Sequence, residues 1–254
     1  MIRKPLIAGN WKMNKTILEA LELANGIKRA LLDLAENVDI VLCPPFTALA
    51  EVAEVLLDSN IKLGGQDMYW QESGAYTGEI SGIMLKDIGC NFVIIGHSER
   101  RQYFSETNET VNKKIKAAIK LNLSPIVCVG ETLEERQKNK TPLVVREQVE
   151  GALSGIDAKD MLKINIAYEP VWAIGTGVNA RPEQAQEVQK FIRDLIEKRY
   201  NREVADSIRI LYGGSIKPDN FKDLIAQEDI DGGLVGGSSL EVDSFCQIVK
   251  LCIP

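Results

Sequence analysis

Three side chains that can move protons or hold charge come directly after short apolar runs of the sequence. Glu169 stands just before the rigid Pro170, so its carboxylate could be positioned as a general base, although most glutamates are solvated surface residues. His97, the only histidine in the chain, could exchange protons or be a structural residue at a strand end. Lys12 could hold an anion or extend along the surface. Together these residue types indicate proton transfer beside a bound anion.

Glycines gather after the last two apolar runs, as Gly213-Gly214-Ser215 and Gly236-Gly237, and residues 173–177 hold two more. Glycine lets backbone N–H groups approach an anion closely, and the N-terminus of a following helix adds a favourable dipole. One pair of glycines would indicate only a tight turn. Two pairs after neighbouring strands favour a phosphate-binding site.

Residues 171–178 read Val-Trp-Ala-Ile-Gly-Thr-Gly-Val and follow Glu169 closely. A loop that carries a tryptophan and an isoleucine is unfavourable if it stays in water. We therefore predict that this segment is a lid, which packs over a bound ligand and flexes at its two ends.

These residues need a fold that brings the ends of apolar runs together. Eight runs rich in valine and isoleucine are too short for helices and lack polar alternation, so we predict strands buried on both faces. The predicted strands are residues 5–9, 38–43, 61–65, 91–95, 123–129, 163–168, 208–212 and 230–235. Amphipathic segments between them, such as 16–36 and 182–200, are predicted helices. The alternation predicts an α/β fold, one single-domain (β/α)₈ TIM barrel over residues 1–254, with its chemistry at the carboxyl ends of the strands.

Motifs of several other protein classes are absent from the sequence. An open, doubly wound sheet, the alternative fold, would require a Gly-x-Gly-x-x-Gly turn after the first strand, and Ala8-Gly-Asn-Trp-Lys12 does not provide one. There is no Gly-x-Ser-x-Gly sequence of the kind that positions a serine nucleophile. A single histidine without a Cys-x-x-Cys pair also argues against a metal site.

The composition disfavours several kinds of partner and location. A net charge of -6 and a pI of about 5.1 disfavour binding to nucleic acid or an anionic membrane, which requires a basic face. No apolar run approaches the length of about 18 residues needed to span a bilayer, and no signal peptide is recognisable. The cysteines lack paired spacing, so we expect reduced thiols in a cytoplasmic protein.

Six motifs, in order over essentially the whole chain, resemble the triosephosphate isomerase family. They are Asn10-Trp-Lys-Met-Asn14, Gly74-Ala-Tyr-Thr-Gly-Glu79, Gly96-His-Ser-Glu-Arg100, Ala167-Tyr-Glu-Pro-Val-Trp-Ala-Ile-Gly-Thr-Gly177, Tyr212-Gly-Gly-Ser215 and Leu234-Val-Gly-Gly237. The fourth is the most specific. The resemblance implies a cofactor-free isomerase that interconverts dihydroxyacetone phosphate and D-glyceraldehyde 3-phosphate through an enediolate, in glycolysis and gluconeogenesis.

The resemblance also implies roles for individual residues. Glu169 is the expected base, and His97 is the expected neutral electrophile that shuttles protons between the substrate oxygens. Lys12 is expected to hold the substrate electrostatically, with Asn10 orienting groups beside it. A short helix beginning at Ser98 would favour the neutral imidazole, because the positive end of a helix disfavours imidazolium.

Further residues are expected to bind phosphate or to support the site. The resemblance implies that the phosphate is bound by the backbone N–H groups of Gly175, Ser215, Gly236 and Gly237. It implies that the base, the lysine or the closed lid is supported by Ser98, Glu99, Ile174, Tyr212 and Leu234. Among these, Ser98 is expected to hold Glu169 while the lid is open, and Glu99 to support Lys12.

The resemblance further implies a homodimer, in which the loop from Gln66 to Glu79 reaches into the partner and Thr77 supports the partner's first strand end. Two departures from the family pattern matter here. Asp67 stands where asparagine is common, and its extra charge could make stability depend on pH. At the end of the lid, Val178-Asn179 replaces the common Lys-Thr and puts the lid's opening rate in doubt.

Two other functions are compatible with a phosphate-binding barrel. One is another phosphosugar enzyme, such as a Schiff-base aldolase or a metal-dependent epimerase. An aldolase needs a desolvated lysine on a strand, and Lys163 begins a predicted strand at the opposite end from the other candidates. The second is a non-catalytic phosphate-binding module, which would not require Lys12, His97 and Glu169 together.

Overall fold

Eight parallel strands close into a barrel in the computed structural model, which describes residues 3–32, 34, 36–175 and 179–253. Each strand pairs with the next along the chain, and the last pairs with the first. The strands are β1 Leu6–Asn10, β2 Asp39–Cys43, β3 Lys62–Gly65, β4 Phe92–Ile95, β5 Ser124–Val129, β6 Asn165–Tyr168, β7 Ile210–Tyr212 and β8 Gly232–Val235. The predicted (β/α)₈ barrel is confirmed, and the alternative of an open, doubly wound sheet is wrong because the sheet is closed.

Helices follow the strands along the chain. They are α1 Ile17–Leu31, α2 Leu49–Leu56, α3 Gly82–Asp87, α4 Ser98–Tyr103, α5 Asn108–Lys120, α6 Leu133–Gln137, α7 Thr141–Ala152, α8 Ala158–Met161, α9 Pro182–Arg199, α10 Arg202–Ser207, α11 Pro218–Ile225 and α12 Val242–Lys250. The helix predicted over 16–36 ends at Leu31, because the backbone N–H groups of Leu34 and Asn37 form tight turns that lead into β2. None of the described helices is long and apolar enough to cross a bilayer.

The strands are buried on both faces, as their continuous apolar runs predict. In β1, Leu6 and Ala8 belong to a small cluster that fills the barrel, whereas Ile7 belongs to the larger cluster between the barrel and its helices. In β5, Ile126 lies in the small cluster and Val127 in the large one. Since successive side chains of a strand point to opposite faces, each run must be apolar throughout.

The closed parallel sheet brings the candidate residues to one rim. Asn10 ends β1, His97 follows β4 after one glycine, and Glu169 directly follows β6. The carboxyl ends of parallel strands share the same end of the barrel, so residues distant in the sequence become neighbours. Lys163, by contrast, precedes β6 and pairs with Asp160 at 2.7 Å, at the opposite end of the barrel.

A group of four charges, all buried or partly buried, lies just beyond β3. Asp67 pairs with the ammonium of Lys114 at 2.7 Å and with the guanidinium of Arg100 at 2.9 Å. Both cations also pair with Glu106. Burial raises the pKa of Asp67 to about 6, and the negative charge of Glu106 also raises it. The positive charge of Lys114 lowers the pKa but does not outweigh burial. This network connects the base of the predicted dimer loop to α4.

The free energy of unfolding of the Asp67→Asn variant is expected to increase, relative to that of the parent, as pH rises. The folded protein holds the Asp67 proton with a pKa of about 6, above the ordinary value of 3.8, so the parent loses stability as pH rises through this interval. Chemical denaturation between about pH 4 and pH 7 measures the difference in unfolding free energy between variant and parent. Asp87→Asn, an exposed change on α3, is the control, and a pH-independent difference for Asp67→Asn would contradict the shifted pKa.

Candidate active site

A cavity of about 620 Å³ opens at the carboxyl end of the barrel. It lies within the volume range of small-molecule sites. The structure brings together, on the walls of this cavity, the predicted residues Asn10, Lys12, His97, Ile174, Gly175, Ser215, Leu234, Gly236 and Gly237. Of the predicted lid, residues 171–175 lie before the gap in the described residues, and residues 176–178 lie outside them.

The carboxylate of Glu169 is almost completely buried, with 1% of the residue exposed. Its Oε1 atom lies 2.9 Å from His97 Nε2, and its Oε2 atom accepts a hydrogen bond of 2.9 Å from the backbone N–H of Ser98. Burial raises the pKa of Glu169, but the charge and contact of His97, the Ser98 amide and the charge of Lys12 outweigh burial, so the pKa lies below its ordinary value. Ser98 thus holds the carboxylate through its backbone rather than its hydroxyl.

Each nitrogen of the His97 imidazole lies close to a polar group. Nδ1 accepts a hydrogen bond of 3.2 Å from the backbone N–H of Glu99 in the first turn of α4, which leaves the ring proton on Nε2. Burial lowers the pKa of His97, but the carboxylates of Glu169 and Glu99 outweigh it, so the pKa is raised. The prediction from the helix end alone omitted the Glu169 carboxylate, which in this arrangement favours imidazolium.

Lys12 is held in an uncommon backbone conformation, with φ of 54°. The side-chain oxygen of Asn10 accepts a hydrogen bond of 3.1 Å from the Lys12 N–H, and Gln66 donates to the Lys12 carbonyl at 2.8 Å and to the Cys43 carbonyl at 2.9 Å. The Lys12 ammonium pairs with Glu99 at 2.6 Å. Gln66 had been predicted only as the first residue of the dimer loop, and its support of Lys12 is visible only in the folded chain.

The predicted phosphate site lies between the ends of β7 and β8. Gly236 and Gly237 stand at the cavity wall, and a side chain on Gly237 would meet no atom within 4 Å. The backbone N–H of Ser215 donates to the carbonyl of Ala173 at 3.1 Å, so this predicted phosphate donor is occupied by the lid in the present arrangement. Gly175, at the described end of the lid, has φ of 68°, a conformation that favours glycine.

Tyr212 lies at the end of β7, and its side chain is fully buried. Burial raises the pKa of its phenol to about 12. A contact with the backbone of Ala180, just beyond the lid, lowers the pKa but does not outweigh burial. The phenol is therefore neutral near pH 7, so it can donate a hydrogen bond. Tyr212 is predicted to support the closed lid, but residues 176–178 of the lid lie outside the described residues.

Gly130 was missed by sequence reasoning as a site residue. A Cβ atom at this position would lie 1.7 Å from the carbonyl oxygen of Glu169, a distance that no side chain can accommodate. The backbone N–H of Glu169 also donates to the carbonyl of Val129 at 2.8 Å. The backbone of Glu169 therefore packs directly on the end of β5. The Val129-Gly130-Glu131 sequence after a strand was the only signal for this contact.

Sequence reasoning also missed Glu131 as a site residue, and its only signal was its position after the fifth strand. Its carboxylate has no exposed surface and accepts hydrogen bonds from the hydroxyl of Tyr168 at 3.1 Å and from the indole N–H of Trp172 at 2.9 Å. Its backbone carbonyl accepts from Val171 at 3.1 Å. Glu131 therefore contacts the chain on both sides of Glu169, including the first turn of the lid.

The described residues contain no cluster of three or more histidine, cysteine, aspartate or glutamate side chains that could hold a metal ion. The side chains present are a buried carboxylate, an imidazole and an ammonium group beside a glycine-lined cavity. This combination suits the removal of a proton next to a carbonyl, since the imidazole and the ammonium can stabilise the oxyanion that develops. Fold and site together define a (β/α)₈-barrel enzyme of proton transfer on a small anion.

Comparisons with known proteins identify the family. The family model described as triosephosphate isomerase matches residues 5–252. The chain is 54% identical to a triosephosphate isomerase of Alkaliphilus oremlandii, over 98% of this chain and 100% of that one. It is 56% identical to one of Carboxydothermus hydrogenoformans and 55% identical to one of Geotalea uraniireducens, each over 98% of this chain and 99% of the relative. The chain belongs to the triosephosphate isomerase family, and it is an isomerase.

Glu169→Gln is expected to lower the pKa of His97. The substitution removes the charge that favours imidazolium, whereas burial, which favours the neutral ring, remains. Because His97 is the only histidine, the resonances of its isotope-labelled imidazole can be followed by NMR through a pH titration. Glu109→Gln removes an exposed carboxylate that pairs with Lys113 and should leave the titration unchanged. An identical titration in Glu169→Gln and the parent would contradict the carboxylate–imidazole contact.

Proposed function

We propose that Glu169 is the base of the family's reaction, the interconversion of dihydroxyacetone phosphate and D-glyceraldehyde 3-phosphate in glycolysis and gluconeogenesis. The proposal is carried by one observation: the buried Glu169 carboxylate lies 2.9 Å from the imidazole of His97, which itself lines the cavity with Lys12. A carboxylate in this position can take a proton from one substrate carbon and return it to the other. One substrate carbon is oxidised as its neighbour is reduced, so the reaction balances within the substrate and requires no external oxidant or reductant.

The base has to move before it can act. In the present arrangement Glu169 borders a cavity of about 270 Å³, distinct from the one that His97 and Lys12 line. Its Oε1 atom accepts no hydrogen bond of ordinary geometry from the described residues, although His97 Nε2 is near. We infer that the carboxylate swings from the Ser98 amide towards the substrate when the lid closes, and that Ile174 and Leu234 then cover it.

His97 and Lys12 act on the substrate oxygens in this proposal. Once Glu169 has moved, the carboxylate that raises the pKa of His97 is further away, and burial favours the neutral ring. The Nε2–H then donates to the carbonyl oxygen as charge develops, and it relays a proton between the two oxygens. Lys12, oriented by Asn10 and Glu99, stabilises the enediolate by its charge.

Phosphate binding and lid closure are coupled in this proposal. The Ser215 N–H now donates to Ala173 in the first turn of the lid. We propose that lid movement releases this N–H, which then joins those of Gly175, Gly236 and Gly237 on the phosphate. The closed lid excludes water, which strengthens these charge interactions and protects the enediolate from losing phosphate.

Glu169→Asp is expected to lower kcat by about 10²-fold or more with little change in KM, because it draws the base back by one methylene and misplaces it by about 1 Å. A coupled isomerase assay in the presence of chelator measures both constants. Glu147→Asp, an exposed change on α7, is the matched control. A parental rate for Glu169→Asp would exclude Glu169 as the base.

The same assay separates the alternative functions. Full activity in chelator excludes a metal-dependent epimerase, and the absence of an adduct after borohydride treatment with substrate excludes a Schiff-base aldolase. A non-catalytic phosphate-binding module would bind triose phosphate without turnover.

We also propose a homodimer through the loop from Gln66 to Glu79. Residues 71–79 are exposed without interruption, as expected for a segment that projects from its own chain. Large apolar side chains are exposed around it, on the segments after the first four strands; they are Met13, Phe46, Tyr76, Ile83, Met84, Tyr103 and Phe104. Exposed apolar side chains on the segments that follow neighbouring strands are typical of interaction surfaces. Thr77 would then support the partner's first strand end, so the dimer would complete the site.

Ile83→Glu is expected to shift the assembly towards monomer, because it places a charge within the proposed interface. Size exclusion over a dilution series should show a dimer for the parent. The dissociation constant of the variant dimer should be at least about 10-fold larger, which corresponds to about 1.4 kcal/mol of association free energy. Leu143→Glu, on α7 and also about half exposed, is the control. A fully active parental monomer would contradict the proposal.

We place the protein in the cytoplasm. The five cysteines are Cys43, Cys90, Cys128, Cys246 and Cys252, and all are free thiols that are buried or partly buried. Free thiols in these positions are typical of a reducing compartment. Triose phosphates, the proposed substrates, are intermediates of cytoplasmic sugar metabolism.

A further inference from the structure

We propose that Arg136 is a positioning residue for the base-bearing segment. It acts through Glu131 and Trp172 and does not touch the substrate cavity. The inference rests on the proposed role of Glu169 as the base, and it adds a residue to the machinery that holds this base. Sequence reasoning gave no signal for Arg136, which lies on a short surface helix.

Arg136 supplies the charge that a buried carboxylate needs. Its Nη1 atom lies 2.9 Å from Glu131 Oε1, and the Glu131 side chain has no exposed surface. In the described part of the chain, Arg136 is the only cation that forms an ion pair with Glu131. Removing one partner of a buried pair leaves an uncompensated charge in the interior, which is strongly unfavourable. The carboxylate would then draw in water or move, and its hydrogen-bond donors would move with it.

Arg136 also covers the first turn of the lid directly. Its guanidinium carbon lies 4.6 Å from the centre of the Trp172 ring, in cation–π contact, while the indole N–H donates to Glu131. A planar guanidinium can stack on a ring and bond a carboxylate at once, which an ammonium group does less well. The indole is therefore held by a hydrogen bond at its edge and by a cation over its face.

These contacts enclose Glu169 along the chain. Tyr168, immediately before the base, donates to both carboxylate oxygens of Glu131 at 3.1 Å. Trp172, three residues after the base, donates to the same carboxylate. A carboxylate that is held in place by Arg136 therefore restrains both sides of Glu169. Loss of Arg136 should misplace the base and alter the lid, without removing any group that binds substrate.

The helix that carries Arg136 is built to hold it in place. At the start of α6 the Thr132 N–H donates to the Glu135 carboxylate at 2.8 Å, and the Glu135 N–H donates to the Thr132 hydroxyl at 3.3 Å. Such reciprocal capping stabilises a first turn that is otherwise short of hydrogen bonds. This turn begins directly after Glu131, so the carboxylate and its cation are placed by one rigid corner of the chain.

The test compares Arg136→Met, which keeps the aliphatic length and loses the charge, with Arg136→Lys, which keeps the charge and loses the planar fork. We expect Arg136→Met to lower kcat by about 10-fold to 100-fold with KM within about 2-fold of the parent, since misplacement of about 1 Å costs up to 10²-fold. Arg136→Lys should recover part of kcat. Arg146→Met removes a similar cation–π contact, at 5.6 Å on Phe191, and should leave kcat unchanged.

A spectroscopic measurement separates positioning from general destabilisation. With fluorotryptophan incorporated, the Trp172 resonance, assigned with Trp172→Phe, should shift or broaden in Arg136→Met and stay unchanged in Arg146→Met. The double variant Glu131→Gln with Arg136→Met should be less impaired than the product of the two single effects, because Arg136 acts through Glu131. If Arg136→Met does not fold, Arg136→Lys decides by the same two measurements.

A parental kcat and an unmoved Trp172 resonance in the folded Arg136 variants would overturn the inference. A loss explained wholly by KM would do so as well, since it would indicate binding rather than positioning of the base. The result is distinguishable from failure of the proposed function. If Glu169→Asp keeps parental activity, Glu169 is not the base, whereas an impaired Glu169→Asp with fully active Arg136 variants removes only the role of Arg136.

Discussion

The burial of the Glu169 carboxylate against the imidazole of His97 is the interaction on which the rest of the site depends. An isolated carboxylate in a protein interior costs several kcal/mol, and the cost is offset only by nearby positive charge and hydrogen bonds. Here the offset comes from His97 at 2.9 Å and from the Ser98 N–H. These groups keep the Glu169 carboxylate ionised while it is buried, with a pKa below its ordinary value. In the proposed mechanism, the exclusion of water by the closed lid strengthens Glu169 as a base.

The barrel makes this burial possible by bringing backbones together at its rim. Glu169 can pack on the end of β5 only because Gly130 has no side chain, and a Cβ on Gly213 would lie 2.9 Å from Glu169 Cγ. The apolar strands supply a rigid base for these contacts. His97 and Lys12 arrive from two other strand ends, so three chemical groups that are distant in the sequence meet without long loops.

Charged groups around the rim are matched in pairs. Lys12 is paired with Glu99, Asp67 with Arg100 and Lys114, and Glu131 with Arg136. Lys12 and Asp67 are joined to partners on α4 and α5, so these pairs link separate elements of the rim, whereas Glu131 and Arg136 belong to one corner of the chain. At Asp67 the neighbouring cations do not fully offset the burial of the carboxylate, and the pKa of Asp67 is raised for this reason. The site is therefore held by mutual neutralisation rather than by apolar packing alone.

The sequence alone determined the order of strands and helices, because this order follows from hydrophobic periodicity. It also determined which strand ends bear His97, Glu169 and Lys12, and that glycines follow β7 and β8. Strand starts were read one or two residues early, since residues such as Val38 and Ile61 are buried before the hydrogen-bonded ladder begins. The raised pKa of His97, the support of Lys12 by Gln66, and the roles of Gly130 and Glu131 could not be read. Each depends on distances between segments far apart in the chain, and such distances exist only once the barrel has closed.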